Sequence, residues 1–139
     1  MVMVVYARGE IVTAHVGDGA IVARSDMEWT TLSPPESGPY AATTYFVTDD
    51  PAPRLRIGRH EGDWTGLALF SDGIENLVLD YQTDAPHAPF FNSMIAPIDA
   101  VSTPGKDAKL SAALAGFLRS PKVCDKTDDD KTLLLLSAR

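Results

Sequence analysis

Apolar and polar positions divide the chain into a first part of short strands and a second part of helices. Short apolar runs separated by turn residues predict three strands, Met1–Tyr6, Ile11–Val16 and Ala20–Ser25, joined as an antiparallel meander. Two weaker runs, Trp29–Leu32 and Leu55–Arg59, predict further short strands. The first three strands lack a clean alternation of apolar and polar residues, so both faces of their sheet are expected to be covered.

A wholly apolar run followed by a sharp turn begins the second part. Leu67–Phe70 predicts a buried strand, and Ser71–Gly73 breaks it. Apolar residues then recur at the spacing of a helix: Ile74, Leu77, Val78 and Tyr81. The local structure is therefore predicted to be a strand, a turn and a helix.

Prolines mark the ends of two further predicted helices. One starts near Pro86 or Pro89 and ends before Pro97, and the other has Pro104 in its first turn and stops at Pro121. Candidate caps for the later helix are Ser102 and Thr103. Its expected buried stripe comprises Leu110, Ala113, Leu114, Phe117 and Leu118.

An acidic loop and one more strand follow the helices. Lys122–Lys131 is polar and holds four aspartates, and Thr132–Ala138, with its unbroken run Leu133–Leu136, predicts a buried strand. Strands, then helices, then a final strand indicate the α+β class. The length of 139 residues suits one domain.

Three aspartates lie at the ends of predicted strands. Asp72 follows Leu67–Phe70, Asp129 precedes Thr132–Ala138, and Asp18 lies at the tip of a predicted hairpin. If the strands beside Asp72 and Asp129 pair antiparallel, their carboxylates converge, and Asp18 can face the same end. Converging carboxylates repel each other unless a cation neutralises them, and oxygen ligands favour a hard ion such as Mg²⁺ or Mn²⁺.

Each aspartate also has a simpler explanation. Asp18, between two glycines, suits a tight turn by itself. Ser71 or Asp72 can cap the helix that follows, and Asp128–Asp130 can be a solvated acidic loop. Spacing alone therefore leaves both a metal site and a set of turn residues open.

The overall charge disfavours one class of binding partner. Twelve basic and nineteen acidic residues give a net charge of −7, which disfavours nucleic acid because the phosphate backbone is also negative. No apolar run is long enough to span a membrane, and the short apolar start lacks the features of a signal peptide. The single cysteine, Cys124, allows no internal disulfide, so a reducing cytoplasm is the expected location.

Other catalytic patterns are absent from the sequence. No G-x-S-x-G surrounds Ser71 or any other serine, so a hydrolase nucleophile is not indicated. His15, His60 and His87 do not have zinc-ligand spacing, and nothing beside Cys124 marks it as a nucleophile.

Three segments, in this order, resemble motifs of the PPM-type (type 2C) metal-dependent serine/threonine phosphatases. His15–Ala20 resembles the family's V-G-D-[SG] hairpin, and Leu67–Ile74 resembles its L-x-L-x-S-D-G strand and turn. Asp129–Thr132, followed by an apolar strand, resembles its D-N-x-T motif, with Asp130 in place of asparagine. The resemblance covers nearly the whole chain and corresponds to the C-terminal half of the family domain.

The resemblance implies a fold, a reaction and a cofactor. The fold is an antiparallel β-sandwich flanked by helices, here with its N-terminal part missing. The reaction is the hydrolysis of phosphoserine or phosphothreonine by a water activated between two Mn²⁺ or Mg²⁺ ions, without a covalent intermediate and so without a catalytic nucleophile among the side chains.

The resemblance also assigns residues. Asp72 and Asp129 match ligands of the metal pair, and Asp18 matches a position that helps to hold a third, weaker ion. The turn and backbone positions of the site correspond to Gly17, Gly73 and Asp130. Asn76 stands where the family often has a further aspartate, which weakens a third site.

Other family motifs are missing from the chain. The early acidic residue and the D-G-x-G-G motif, which supply the remaining ligands, are absent, and Asp49 and Asp50 do not replace them because Gly-Gly does not follow. We therefore expect weakened metal binding, uncovered apolar faces, and strand edges through which the chain can form an oligomer.

Three interpretations remain at this stage. The first is a phosphatase domain, truncated and weak or inactive alone, whose partner is a phosphoprotein substrate. The second is a non-catalytic module on the same scaffold that meets a regulatory protein through a sheet edge or through the loop Ser33–Pro53, predicted to be locally extended over Tyr40–Val47. The third is an unrelated α+β domain whose aspartates only cap turns.

Overall fold

The computed structural model describes residues 1–36 and 44–138, in which antiparallel strands form two sheets and helices cover one of them. The strands are β1 (Val2–Ala7), β2 (Glu10–His15), β3 (Ala20–Ser25), β4 (Glu28–Ser33), β5 (Arg56–Glu61), β6 (Trp64–Phe70) and β7 (Leu133–Ser137). The helices are α1 (Glu75–Val78), α2 (Ala88–Asp99), α3 (Ala108–Leu118) and α4 (Pro121–Cys124). The predicted α+β sandwich is confirmed.

The two sheets have the strand orders β1-β2-β5 and β4-β3-β6-β7. Their inner faces meet in a buried cluster of Ile11 from β2, Ile21 and Ala23 from β3, and Leu67 from β6. The predicted meander is wrong at its second turn, because β2 and β3 belong to different sheets. Residues 17–19 carry the chain across the sandwich, and this was not predictable because both strands are equally apolar.

Helices cover the outer face of the four-stranded sheet. Phe91 of α2 is fully buried, with its ring centroid 5.0 Å from that of Trp29 and 5.8 Å from that of Phe70. Gly66 leaves room for Ile95, whose Cδ1 would lie 2.6 Å from a Cβ at that position. The main core of the chain therefore lies between this sheet and α2.

A buried ion pair fixes the end of α2 against the same sheet. Arg24 of β3 donates to both carboxylate oxygens of Asp99, at 2.9 and 3.2 Å, and to Thr65 Oγ1 at 3.0 Å. Ser137 of β7 donates to Asp99 Oδ1 at 2.7 Å. The charge on buried Arg24 is thus paired and hydrogen-bonded, as a charge in the interior requires.

The helix predicted after the Asp72 turn is shorter than its apolar spacing indicated. A 3₁₀ turn over Asp72–Ile74 leads into α1, and Tyr81 is 89% exposed rather than buried. The carboxylate of Asp80 accepts hydrogen bonds from the backbone N–H groups of Gln82 and Thr83, both at 3.0 Å. The backbone of Leu79 is extended, so α1 ends at Val78 and Tyr81 lies in the local turn that Asp80 caps.

Two other helix boundaries also differ from the prediction. α2 continues through Pro97 to Asp99, since its exposed side tolerates one missing backbone bond. α3 begins beyond the region of Pro104, because Asp107 accepts from Leu110 N at 2.9 Å and caps the helix in place of the predicted residues, Ser102 and Thr103.

The expected stripe on α3 is confirmed in part. Leu118 is buried and Leu114 and Phe117 pack against the core, whereas Ala113 is exposed. Pro121 begins the short helix α4 within the segment predicted to be a polar loop.

The described part of Ser33–Pro53 forms no helix or strand beyond the end of β4. Of the extension predicted over Tyr40–Val47, residues 40–43 lie outside the described residues. No helix among the described residues has the length and apolar character needed to cross a membrane.

Apolar side chains remain uncovered on the three-stranded sheet. β1 and β5 expose Met3, Val5 and Ile57 by 51, 54 and 72%. The expectation that both sheet faces are covered is therefore correct for β3 and wrong for β1. The separate expectation of uncovered apolar faces is confirmed.

Phe91→Ala should test how far α2 supports the fold. Removing this buried ring leaves a cavity between α2 and the sheet, so we expect the free energy of unfolding in urea to fall by about 3–5 kcal/mol. Phe46→Ala is the matched control, since Phe46 is 59% exposed and should change stability little. Equal losses for the two variants would contradict this account of the core.

Candidate metal centre

The three aspartates lie at the ends of three neighbouring strands. Ala20 of β3 pairs with Phe70 of β6, which in turn pairs with Leu133 of β7. Asp18 comes just before β3, Asp72 just after β6, and Asp129 shortly before β7. Because the pairing is antiparallel, all three side chains are carried to the same end of the sheet.

Hydrogen bonds around Ser71 hold the Asp72 turn against the acidic loop. Ser71 Oγ donates to the Asp130 carbonyl at 3.1 Å and accepts from Thr132 N at 3.0 Å, while Ser71 N donates to Thr132 O at 3.2 Å. The Ser71 side chain makes no capping bond to the following helix. The interpretation of Ser71 as a helix cap is therefore wrong, because its hydroxyl joins two strand ends instead.

Gly73 is required by the closeness of these two segments. A Cβ at this position would lie 2.3 Å from the Asp130 carbonyl oxygen and 3.3 Å from Asp129 Cβ. Only a residue without a side chain allows the Asp72 turn and the Asp129 loop to approach this far.

The crossover that carries Asp18 is also anchored by its backbone. Gly17 has φ +100°, and a Cβ there would lie 3.1 Å from the Tyr45 carbonyl oxygen. The Gly17 carbonyl accepts from Glu36 N at 3.2 Å and from Arg56 Nη2 at 3.5 Å. These contacts attach the Asp18 turn to the segment that follows β4 and to β5.

A buried histidine lies behind this turn. His15 Nδ1 is 2.8 Å from Ser33 Oγ and 2.9 Å from Arg56 Nη2. Arginine can only donate, so Nδ1 is an acceptor and the ring is neutral. Burial, followed by the nearby Arg56 charge, lowers the pKa of His15 from 6.5 to about 4. These contacts join β2 to Ser33 at the end of β4 and to Arg56 of β5.

The carboxylates influence one another through their charges. Burial, and then the negative charge of Asp18, raise the pKa of Asp72, and Asp129 adds to the rise. Burial also raises the pKa of Glu75, with further contributions from Asp84, Asp72 and Asp18. An acidic field therefore extends from the strand ends into α1.

Glu75 is a member of this acidic region that the sequence analysis did not single out. It lies three residues after Asp72, a spacing that places two side chains on one helix face, and this was the available signal. Asn76, at the position that the family often gives to aspartate, is exposed.

The donor chemistry of the site fits a hard cation, while the ligand set is incomplete. Carboxylates that raise one another's pKa are stabilised when a divalent ion neutralises them. Among residues 1–36 and 44–138, however, no group of three or more His, Cys, Asp or Glu side chains is placed to hold an ion. Asp18, Asp72 and Asp129 therefore lie at one end of the sheet without forming such a group.

Asp18→Asn should stabilise the protein in metal-free buffer at pH 7. It removes a negative charge that raises the pKa of Asp72, and asparagine suits the same turn. A raised carboxyl pKa means that ionised Asp72 destabilises the folded state, so the gain should shrink as the pH falls and Asp72 binds a proton. Urea denaturation at several pH values measures this.

The control for this measurement is Asp63→Asn, at an exposed aspartate that does not contribute to the pKa shift of Asp72. It should show no such pH-dependent gain. An unchanged or reduced stability of Asp18→Asn at pH 7 would show that the two carboxylates do not repel each other appreciably.

Gly73→Ala should destabilise the protein by about 1–3 kcal/mol, because the new Cβ overlaps the Asp130 carbonyl and the backbone must shift. Gly116→Ala in α3 is the matched control, since nothing lies within 4 Å of the added Cβ. That variant should gain about 0.5–1 kcal/mol of helix stability. Urea denaturation of both variants tests the close approach at Gly73, which a stable Gly73→Ala protein would disprove.

Comparisons with known proteins show which family the chain resembles. Residues 1–119 match the family described as protein phosphatase 2C, a range that includes Asp18 and Asp72. Serine/threonine-protein phosphatase 3 of Escherichia coli strain K12 is 37% identical over 122 residues, which are 87% of this chain and 48% of that protein.

Solved structures show the same fold. The serine/threonine phosphatase of S. agalactiae superimposes with a TM-score of 0.60 at 16% identity, covering 97% of this chain and 57% of that one. A bacterial serine phosphatase gives 0.58 at 17% identity, covering 98% and 56%. The chain spans about half the length of the relatives it matches. The family match and the E. coli relative together show that this chain belongs to the protein phosphatase 2C family.

Proposed function

We propose that the chain supplies part of the active site of a metal-dependent phosphatase that hydrolyses phosphoserine or phosphothreonine in proteins. The observation that carries the proposal is the strand register that brings Asp18, Asp72 and Asp129 to one end of the sheet, where the charges of Asp18 and Asp129 help to raise the pKa of Asp72. Membership of the family supports the reaction class. A reducing cytoplasm, consistent with the single cysteine, belongs to the same proposal.

In this proposal Asp72 and Asp129 bind Mn²⁺ or Mg²⁺, and Asp18 helps to hold a further, weaker ion. A bound metal pair supplies an activated water and stabilises the charge that develops on the phosphoryl group. The role of the chain is to keep its carboxylates in place before the ions arrive. The hydrogen bonds of Ser71 to Asp130 and Thr132 do this by fixing the Asp72 turn against the Asp129 loop.

Charge gives the cations a second role in the proposal. With a net charge of −7, the chain repels a phosphoprotein at the site unless the carboxylates are neutralised. Asp72 and Asp129 would hold Mn²⁺ or Mg²⁺, and with their charges neutralised these carboxylates would no longer repel the phosphoryl group.

A second candidate is a non-catalytic module that binds a regulatory protein. The observation in its favour is the incomplete ligand set, since the described residues hold no group of three metal-binding side chains. In that case the aspartates would serve mainly to shape the turns, and the uncovered sheet would provide the binding surface.

Asp72→Asn and Asp129→Asn should each weaken Mn²⁺ binding in calorimetric titrations. We expect a loss of about tenfold or more, because even outer-shell partners of metal ligands contribute about 10- to 100-fold to affinity. Asp63→Asn, at an exposed aspartate away from these strand ends, should bind like the unmodified chain. Titrations that neither site variant alters would refute the assignment of these ligands.

The activity test is hydrolysis of p-nitrophenyl phosphate with millimolar Mn²⁺, compared with the same assay in chelator. Turnover that requires Mn²⁺ and is lost in Asp72→Asn would support a working site. Absence of turnover from well-folded protein that still binds Mn²⁺ would favour the non-catalytic module for the chain alone.

A further inference from the structure

The three-stranded sheet ends one strand short of the sheet that it covers. β5 packs near β4, and Ile11 of β2 packs in one cluster with Ile21 and Ala23 of β3. Beyond them β1 lies near the start of β6, since Tyr6 Oη donates to the Trp64 carbonyl at 3.4 Å, and Val2 and Val4 pack on the same cluster. β7 lies beyond β6, at the edge of the larger sheet.

The side chains of β7 show the consequence. Leu133 and Leu135 pack into the core beneath the helices, so by the alternation of a strand Leu134 and Leu136 point towards the smaller sheet. They are 54% and 37% exposed, whereas Ile21 and Leu67, on the same inner face, are buried. Apolar residues of the sandwich interior are therefore open to solvent above β7.

The free edge of β1 borders the same gap. In the described part of the chain β1 pairs only with β2, so its other edge presents unpaired backbone N–H and C=O groups. A strand added at this edge would lie directly above β7. It would complete the backbone hydrogen bonds of β1 and cover Leu134 and Leu136 in one step.

The outer face of the smaller sheet needs a covering as well. Met3 of β1, Val12 of β2 and Ile57 of β5 are 51, 37 and 72% exposed. Met3 and Ile57 both pair with Ala14, so they flank it on the same face of the sheet. The equivalent face of the larger sheet is covered by α2, whose apolar side chains bury the apolar side chains of that sheet.

We propose that this surface, comprising the β1 edge, the inner face of β7 and the outer face of the smaller sheet, binds a polypeptide equivalent to the part of the phosphatase 2C domain that this chain does not match. The requirements identify that occupant: a β-strand for the edge and an apolar helix for the outer face. Relatives with this fold contain about as much chain again outside the match. The inference rests on family membership and not on the proposed metal chemistry.

The test uses serine/threonine-protein phosphatase 3 of E. coli as the source of the probe. The segment of that protein outside its match to this chain is co-expressed with the full chain of 139 residues, and the purified complex is analysed. We expect a one-to-one complex, with slower amide hydrogen exchange in β1 than in the chain alone. Strand addition protects these amides because it occupies their free edge.

Point variants distinguish binding at this surface from non-specific hydrophobic association. Met3→Glu and Leu134→Glu replace side chains that are already half exposed, so both proteins should fold. Each should weaken the complex by about tenfold or more, since an unpaired charge would be buried at the contact. Met27→Glu is the matched control, as Met27 is 66% exposed between β3 and β4, outside the surface, and should bind normally.

Three results would overturn the proposal. They are no complex between the two polypeptides, equal weakening by Met27→Glu and Met3→Glu, and a dimer of this chain alone that protects β1 and excludes the probe. The last would make a second copy the occupant. Complex formation without Mn²⁺-dependent hydrolysis would leave this proposal standing and count against the proposed function alone.

Discussion

The position of β6 between β3 and β7 is the constraint on which the rest of the structure depends. Its antiparallel register with both neighbours places the turn at Asp72 beside the segments that carry Asp18 and Asp129. A slip of one residue would exchange the two faces of β6, turning Phe70 away from Phe91 towards the smaller sheet and moving Asp72 away from both partners. The same strand pairing therefore forms the core and determines the geometry of the site.

Parts of this arrangement could be predicted from the sequence. The apolar runs before Asp72 and after Asp129 indicated two buried strands, and their antiparallel pairing followed as a hypothesis that the structure confirms. The distribution of the strands between the two sheets could not be predicted. β2 and β3 are both central and both apolar, so their patterns do not say whether they pair or separate. Similarly, α1 ends at Val78 and a local turn at Asp80 follows, which helical periodicity does not detect.

Part of the candidate site could likewise be predicted from the sequence, and part could not. Aspartates at strand ends can be located from the sequence, because the apolar runs show where the strands end. The spacing from Asp72 was a signal for Glu75, but the contribution of Asp84 could not be predicted, since Asp84 approaches through the three-dimensional path of the chain. Whether the aspartates hold an ion depends on how many further donors surround them, and this number is a property of the assembled site. The resemblance to a phosphatase supplied that expectation, and the shortage of donors in the described residues limits it.

The acidic site and the uncovered sheet are stabilised by different interactions, and this difference explains how the chain can have a closed core and still expose apolar side chains. The core between α2 and the larger sheet is closed, with Phe91 and Ile95 fully buried, so it is stabilised by residues of this chain alone. Repulsion among the carboxylates depends on pH and can be relieved by a small cation or reduced by salt. The apolar faces around β1 and β7 do not respond to either, because their hydration is unfavourable whatever the charge state. Covering them requires a large apolar surface, and the free edge of β1 requires that this surface bring a strand. A metal ion alone therefore cannot complete this half of the sandwich, whereas a polypeptide that covers β1 and β7 can do so without any metal.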